Sequence, residues 1–138
     1  MREGTYAAHN LALCHEEQLA ICLALETLVD TLPYHVDPTS LRRIEKAVVP
    51  VMHSCFLQWS LVRGSTQALA NVANMEELLR DMQRQDQEDL GLAEEIQVTL
   101  GEWNNGGTSL DPEAMAYLIR GFVTARRRRV VLERALIA

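Results

Sequence analysis

From Leu11 to Leu136, apolar side chains return every third or fourth residue and almost nowhere alternate. That period belongs to an α-helix with one buried face, whereas a half-buried strand needs a period of two. Aromatic residues make up only 5% of the chain and alternating β-branched runs are missing, so the usual strand signals are nearly absent. The chain reads as all-helical. Its 138 residues point to a single domain, residues 1–138, long enough to bury one core without disulfide or metal staples.

The stripes and their punctuation divide the chain into four helices. The first, over residues 5 to 32, carries Leu11, Cys14, His15, Gln18, Cys22, Leu25 and Val29 on one side and ends before Pro33. Asp37-Pro38 supplies an N-cap and a first-position proline for a second helix, with the stripe Leu41, Ile44, Val48, Met52, Phe56 and Trp59. Arg63-Gly64-Ser65 is expected to break it, and TQALANVAN, residues 66–74, to form a connector with a short helical turn. Asn74 then caps a third helix over residues 75–100, with Leu78, Met82, Asp89, Ala93, Ile96 and Leu100 on one side. NNGG at 104–107 reads as a loop, and Asp111-Pro112-Glu113 restarts a fourth helix by the logic of Asp37-Pro38. Four helices with short connections predict an antiparallel up-and-down four-helix bundle.

Composition narrows the function classes. A net charge of −6 disfavours charge-driven nucleic-acid binding, and no apolar run reaches the roughly eighteen residues of a membrane span. The first residues, MREGTYAAHNLALCHEEQ, lack a secretory pattern because polar groups interrupt them, which predicts a cytoplasmic protein. Three cysteines without a CxxC spacing argue against a disulfide framework or a zinc cluster and read as small buried hydrophobes. One lysine against twelve arginines suggests a GC-rich bacterial genome. No P-loop, glycine-rich cofactor loop or nucleophile–base pairing is visible, and neighbouring Cys14 and His15 diverge by about 100° on a helix, so an enzyme is not expected.

The informative residues are the polar ones that interrupt the apolar stripes. The fourth helix contains four consecutive arginines, Arg126 to Arg129. A wheel drawn through Met115, Leu118, Phe122, Leu132 and Leu136 places Arg129 near the middle of the apolar arc and Glu133 one turn further on. Arg126 falls at the edge of that arc, and Arg127 and Arg128 point to solvent. Because Leu132, Leu136 and Ile137 follow as core positions, the helix reads as docked rather than free to enter a DNA groove. An inward arginine needs a partner, and Glu133 is the nearest local one.

His15 lies centrally on the first helix, His53 at the edge of the second helix's arc, and Asp89 inward on the third with Gln85 and Asp86 flanking it. Histidine and carboxylate groups on the inner faces of a bundle are the arrangement that holds metal ions between helices. The same pattern also describes a buried hydrogen-bond network that sets register. Trp59 and Trp103 read as packing anchors, and His9 and His35 as surface or loop residues.

Four segments, LCHEEQLAICLALETLVDTL, VVPVMHSCFLQW, MQRQDQEDLGLAEEI and RRRRVVLERALIA, together resemble the helices of the hemerythrin-like family, also called the HHE cation-binding domain. The resemblance spans nearly the whole chain, from Ala8 to Ala138. Members of that family hold two irons with a first-helix His, a second-helix His-x-x-x-Glu, a third-helix His and a closing His-x-x-x-Glu; they carry oxygen, sense oxygen or redox state, or handle iron. The resemblance puts His15 at the first ligand position and keeps His53, but with Leu57 where Glu belongs. It puts Asp86 where His belongs, replaces the last His by Arg129 and keeps Glu133.

An arginine is always charged and offers no lone pair, so Arg129 cannot ligate a metal and would repel Fe²⁺. The resemblance with its departures therefore implies a bundle that has lost its di-iron centre and has no cofactor. In it, Arg129, Glu133, Asp86 and Asp89 form a buried ion-pair network. The expected role is a non-catalytic regulatory, structural or protein-binding module, working with a protein partner or as a homo-oligomer. The alternative is an iron-binding oxygen or redox sensor, or an iron-handling protein, with a reduced site of His15, His53 and Glu133. Asp86 would then be a further oxygen donor and Cys22 a redox-sensitive thiol.

Overall fold

The computed structural model describes residues 2–31, 37–65, 69, 73–107 and 111–137. They form four helices, α1 (Arg2–Thr31), α2 (Pro38–Ser65), α3 (Met75–Asn104) and α4 (Pro112–Ile137), and among the described residues there is no strand. His35 lies outside the described residues, as does most of the 66–74 connector, of which Leu69 is buried in a 3₁₀ turn.

Two of the helix starts follow the expected chemistry. Asp111 Oδ1 accepts the Ala114 N–H at 2.7 Å ahead of α4. Ahead of α2, Asp37 accepts from the Thr39 N–H at 3.2 Å and the Ser40 hydroxyl at 2.9 Å. Each satisfies a donor that the first helical turn leaves unpaired. Asn74 differs. It takes a left-handed conformation (φ 62°) and its side chain makes no cap bond, so its role before α3 is conformational, and Glu76 and Glu77 in the first turn complement the helix dipole.

The sequence also placed two helix ends too early. The second helix runs through Arg63 and Gly64 to Ser65, since one glycine in a final turn costs only about 1 kcal/mol. The third extends to Asn104, where the Asn105 N–H bonds back to the Gly101 carbonyl at 3.2 Å and Gly106, at φ 101°, turns the chain.

Helix α1 packs on α2 and α4, α2 also on α3, and α3 on α4, closing a four-helix bundle. The core has two apolar clusters. One gathers Cys22, Leu25, Val48, Met52, Ile96, Leu100 and Phe122; the other gathers Leu11, Trp59, Val62, Met75 and Met82. Each fully buried Leu, Met or Phe contributes about 1.5–3 kcal/mol. On α1, α3 and α4 buried polar residues stand where one cluster gives way to the other: His15 and Gln18, Asp86 and Asp89, and Arg126, Arg129 and Glu133. Among the described residues no helix is long and apolar enough to cross a membrane.

Asp111→Ala removes the α4 cap and is expected to lower unfolding free energy by about 1 kcal/mol, measurable as a lower urea midpoint at unchanged slope.

Candidate functional site

The buried polar layer is built mainly from α4. With Met115, Ile119, Phe122, Val123 and Val130 defining the buried face, Arg126 lies in its middle, 1% exposed, and Arg129 on one flank, 5% exposed. The sequence had drawn the arc through Leu118, Leu132 and Leu136, which are only partly buried. The true face is rotated from it by roughly 90°, at about 100° per residue, and so Arg126 moves from the edge to the centre.

A guanidinium so deeply placed must have every charge-assisted bond supplied by protein. Arg126 Nη1 donates to Asp89 Oδ2 at 2.8 Å and to Asp86 Oδ1 at 3.2 Å, and its Nε donates to Gln18 Oε1 on α1. Arg129 Nη2 donates to Asp86 Oδ2 at 2.8 Å, Nη1 to the Met82 carbonyl at 3.0 Å and Nε to Glu133 Oε2 at 2.6 Å. Glu133 Oε1 lies 2.9 Å from His15 Nε2, so that nitrogen carries the proton of this bond. Gln85 Nε2 completes the set by donating to Asp89 Oδ1 at 2.7 Å. Helix α2 contributes rings instead of charges. The Arg126 guanidinium stands 5.4 Å from the Phe56 centroid and that of Arg129 5.9 Å from Trp59, within cation–π range.

Burial pushes the Asp86 carboxyl above its usual range, against the opposing pull of Arg129 and Arg126. The Cys22 thiol is pushed up to about 11 by burial, and Cys55 is raised for the same reason, with Cys14 beside it adding to the effect. Both shifts favour the protonated thiol over the nucleophilic thiolate.

All three layer carboxylates, Asp86, Asp89 and Glu133, have a donor on each oxygen, and two permanent cations stand among them. This donor set does not fit a divalent metal, because such an ion needs several of these oxygens turned to one point, and the bonds to Arg126, Arg129, His15 and Gln85 hold them toward separate donors. Among the described residues no group of three His, Cys, Asp or Glu side chains is placed to hold one.

The expected network of Arg129, Glu133, Asp86 and Asp89 is thus brought together, and His15 joins it. His53 does not. It is exposed, as is Leu57 one turn on, because α2 turns Met52, Cys55 and Trp59 inward, so α2 brings neither a histidine nor a charged group to the layer. Arg128 is exposed as expected, whereas Arg127 forms a two-pronged pair with Glu26, holding that carboxyl below its usual range. Gln18 and the aromatic cover from Phe56 and Trp59 were not assigned from sequence. Gln18 had been placed on the α1 stripe, but an amide there does not announce its partner.

Comparison with known proteins finds no matching family model, no matching curated protein and no matching solved structure. Fold and site define an all-helical bundle organised around a buried ion-pair layer.

Removing Arg126 strands Asp89 in the interior, so Arg126→Met is expected to lose about 3–5 kcal/mol of stability. Adding Asp89→Leu to it recovers much of that loss, while Arg128→Ala leaves the denaturation midpoint unchanged. Chemical denaturation of the three variants checks this order.

Proposed function

We propose that the chain is an antiparallel up-and-down bundle of hemerythrin-like architecture in which arginine has taken the place of metal. We further propose that it works as a non-catalytic regulatory, structural or protein-binding module. The carrying observation is the occupation of all six oxygens of Asp86, Asp89 and Glu133 by protein donors, chiefly from Arg126 and Arg129. The order of layers supports the antiparallel arrangement. One apolar cluster takes the later part of α1 with the earlier part of α2, and the later part of α3 with the earlier part of α4; the other cluster takes the opposite parts.

A fixed interior suits a scaffold better than a reaction centre. Its exposed face offers Leu57 and Leu61, 58% and 50% exposed and one turn apart on α2, as contact points for a protein partner. The iron-binding alternative has less support. It requires exposed His53 to reach the interior, and it requires His15 and Glu133 to give up the bond between them.

Elemental analysis of protein purified from iron-supplemented cells is expected to find iron well below one per chain. Stoichiometric iron that survives gel filtration would contradict the proposal.

A further inference from the structure

Between α2 and α3 a cavity of about 200 Å³ opens to solvent. Its walls include Phe56, Trp59, Leu79 and Leu90, and two charged residues also line it, Asp86 and Arg63. Of the charged residues in the buried layer, Asp86 alone reaches this space. Its side chain is 12% exposed, against 4% or less for those of Arg126, Asp89, Arg129 and Glu133.

The electrostatics of the cavity are asymmetric. The layer sets two guanidinium groups against three carboxylates, and the one carboxylate with access to the cavity has spare capacity. Each Asp86 oxygen accepts a single arginine bond and keeps a second lone pair. Arg63 has the opposite need, since among the described residues no carboxylate pairs with it. A simple amine would meet Asp86 but face the repulsion of Arg63, and a simple acid the reverse. Only a molecule that carries both charges answers both groups, and the walls ask for an apolar body. The volume lies below the roughly 300–1,000 Å³ of sites for drug-sized ligands, which excludes a nucleotide and admits a small metabolite.

We propose that this cavity binds a small zwitterion of the aliphatic α-amino acid class, with its ammonium on Asp86, its carboxylate toward Arg63 and its side chain between Phe56, Trp59, Leu79 and Leu90. Such binding goes beyond the modular role proposed above and makes the bundle responsive to a small molecule.

Leucine, isoamylamine and 4-methylpentanoate share one aliphatic body and carry both charges, the amine alone and the acid alone. Calorimetric titration of the intact chain with each, alongside the indole N–H resonances of Trp59 and Trp103, tests the site. Leucine is expected to bind saturably and to shift Trp59 but not Trp103. Isoamylamine binds roughly tenfold more weakly or worse, and 4-methylpentanoate does not bind. Asp86 also holds Arg126 and Arg129, so the variants spare it. Arg63→Gln reduces leucine affinity to that of isoamylamine, and Leu79→Trp, which fills the cavity, abolishes binding while circular dichroism confirms an unchanged helical fold. The proposal is overturned if millimolar leucine gives no saturable binding, if either single-charge analogue matches leucine, or if binding survives Leu79→Trp in the folded variant.

Discussion

A guanidinium in the middle of a helical bundle tolerates few arrangements of its neighbours. Arg126 is 1% exposed, and its bonds to Asp86, Asp89 and Gln18 reach two other helices. Desolvating such an ion costs several kcal/mol, which is offset only while those acceptors hold their positions. A slip of α1 or α3 by one residue would carry Gln18 or Asp89 to another face and leave the charge bare. The apolar clusters on either side supply the bulk of the burial energy, but oily side chains of similar volume repack with modest loss. The polar layer is therefore what selects one register among many, and its geometry limits every helix of the bundle, α2 included through Phe56 and Trp59.

A planar cation with five donors also differs from a metal ion in what it permits. A divalent metal gathers lone pairs at a point and leaves coordination sites where water or oxygen can enter. Arg126 and Arg129 spread their charge over forks of N–H donors and offer no coordination site of their own. Under the proposed hemerythrin-like reading, the interior has exchanged reactivity for rigidity. The remaining access is at Asp86, where the layer meets the cavity between α2 and α3. Change at this bundle would then come from what binds beside the layer, with the ions inside it fixed.

The helices were legible because periodicity and two Asp-Pro starts are local signals, and both starts carry the expected side-chain bonds. The inward positions of His15, Asp89, Arg129 and Glu133 followed from the same periodicity, which set Asp86, also buried, on the flank of its stripe. Arg126 was misplaced because leucines flank the α4 interface and drew the arc toward themselves. Ile119, Val123 and Val130, one and two turns from Arg126 on its own side of the helix, mark the deepest line instead. His53 was misplaced for a related reason. A wheel gives directions around one helix axis but not where the neighbouring helices stand, and on α2 they stand toward Met52 and Cys55. Pairings across helices, such as His15 with Glu133, depend on that placement, and spacing along one chain segment does not encode it.

Arginine side-chain hydrogen exchange measures the claim that the interior is held by fixed guanidinium groups most directly. Of the twelve arginines in the chain, two Nε–H resonances should persist long after the others have exchanged into deuterated water, one lost in Arg126→Lys and the other in Arg129→Lys. Uniformly rapid exchange of all the arginine Nε–H groups in the folded protein would contradict a buried, saturated layer.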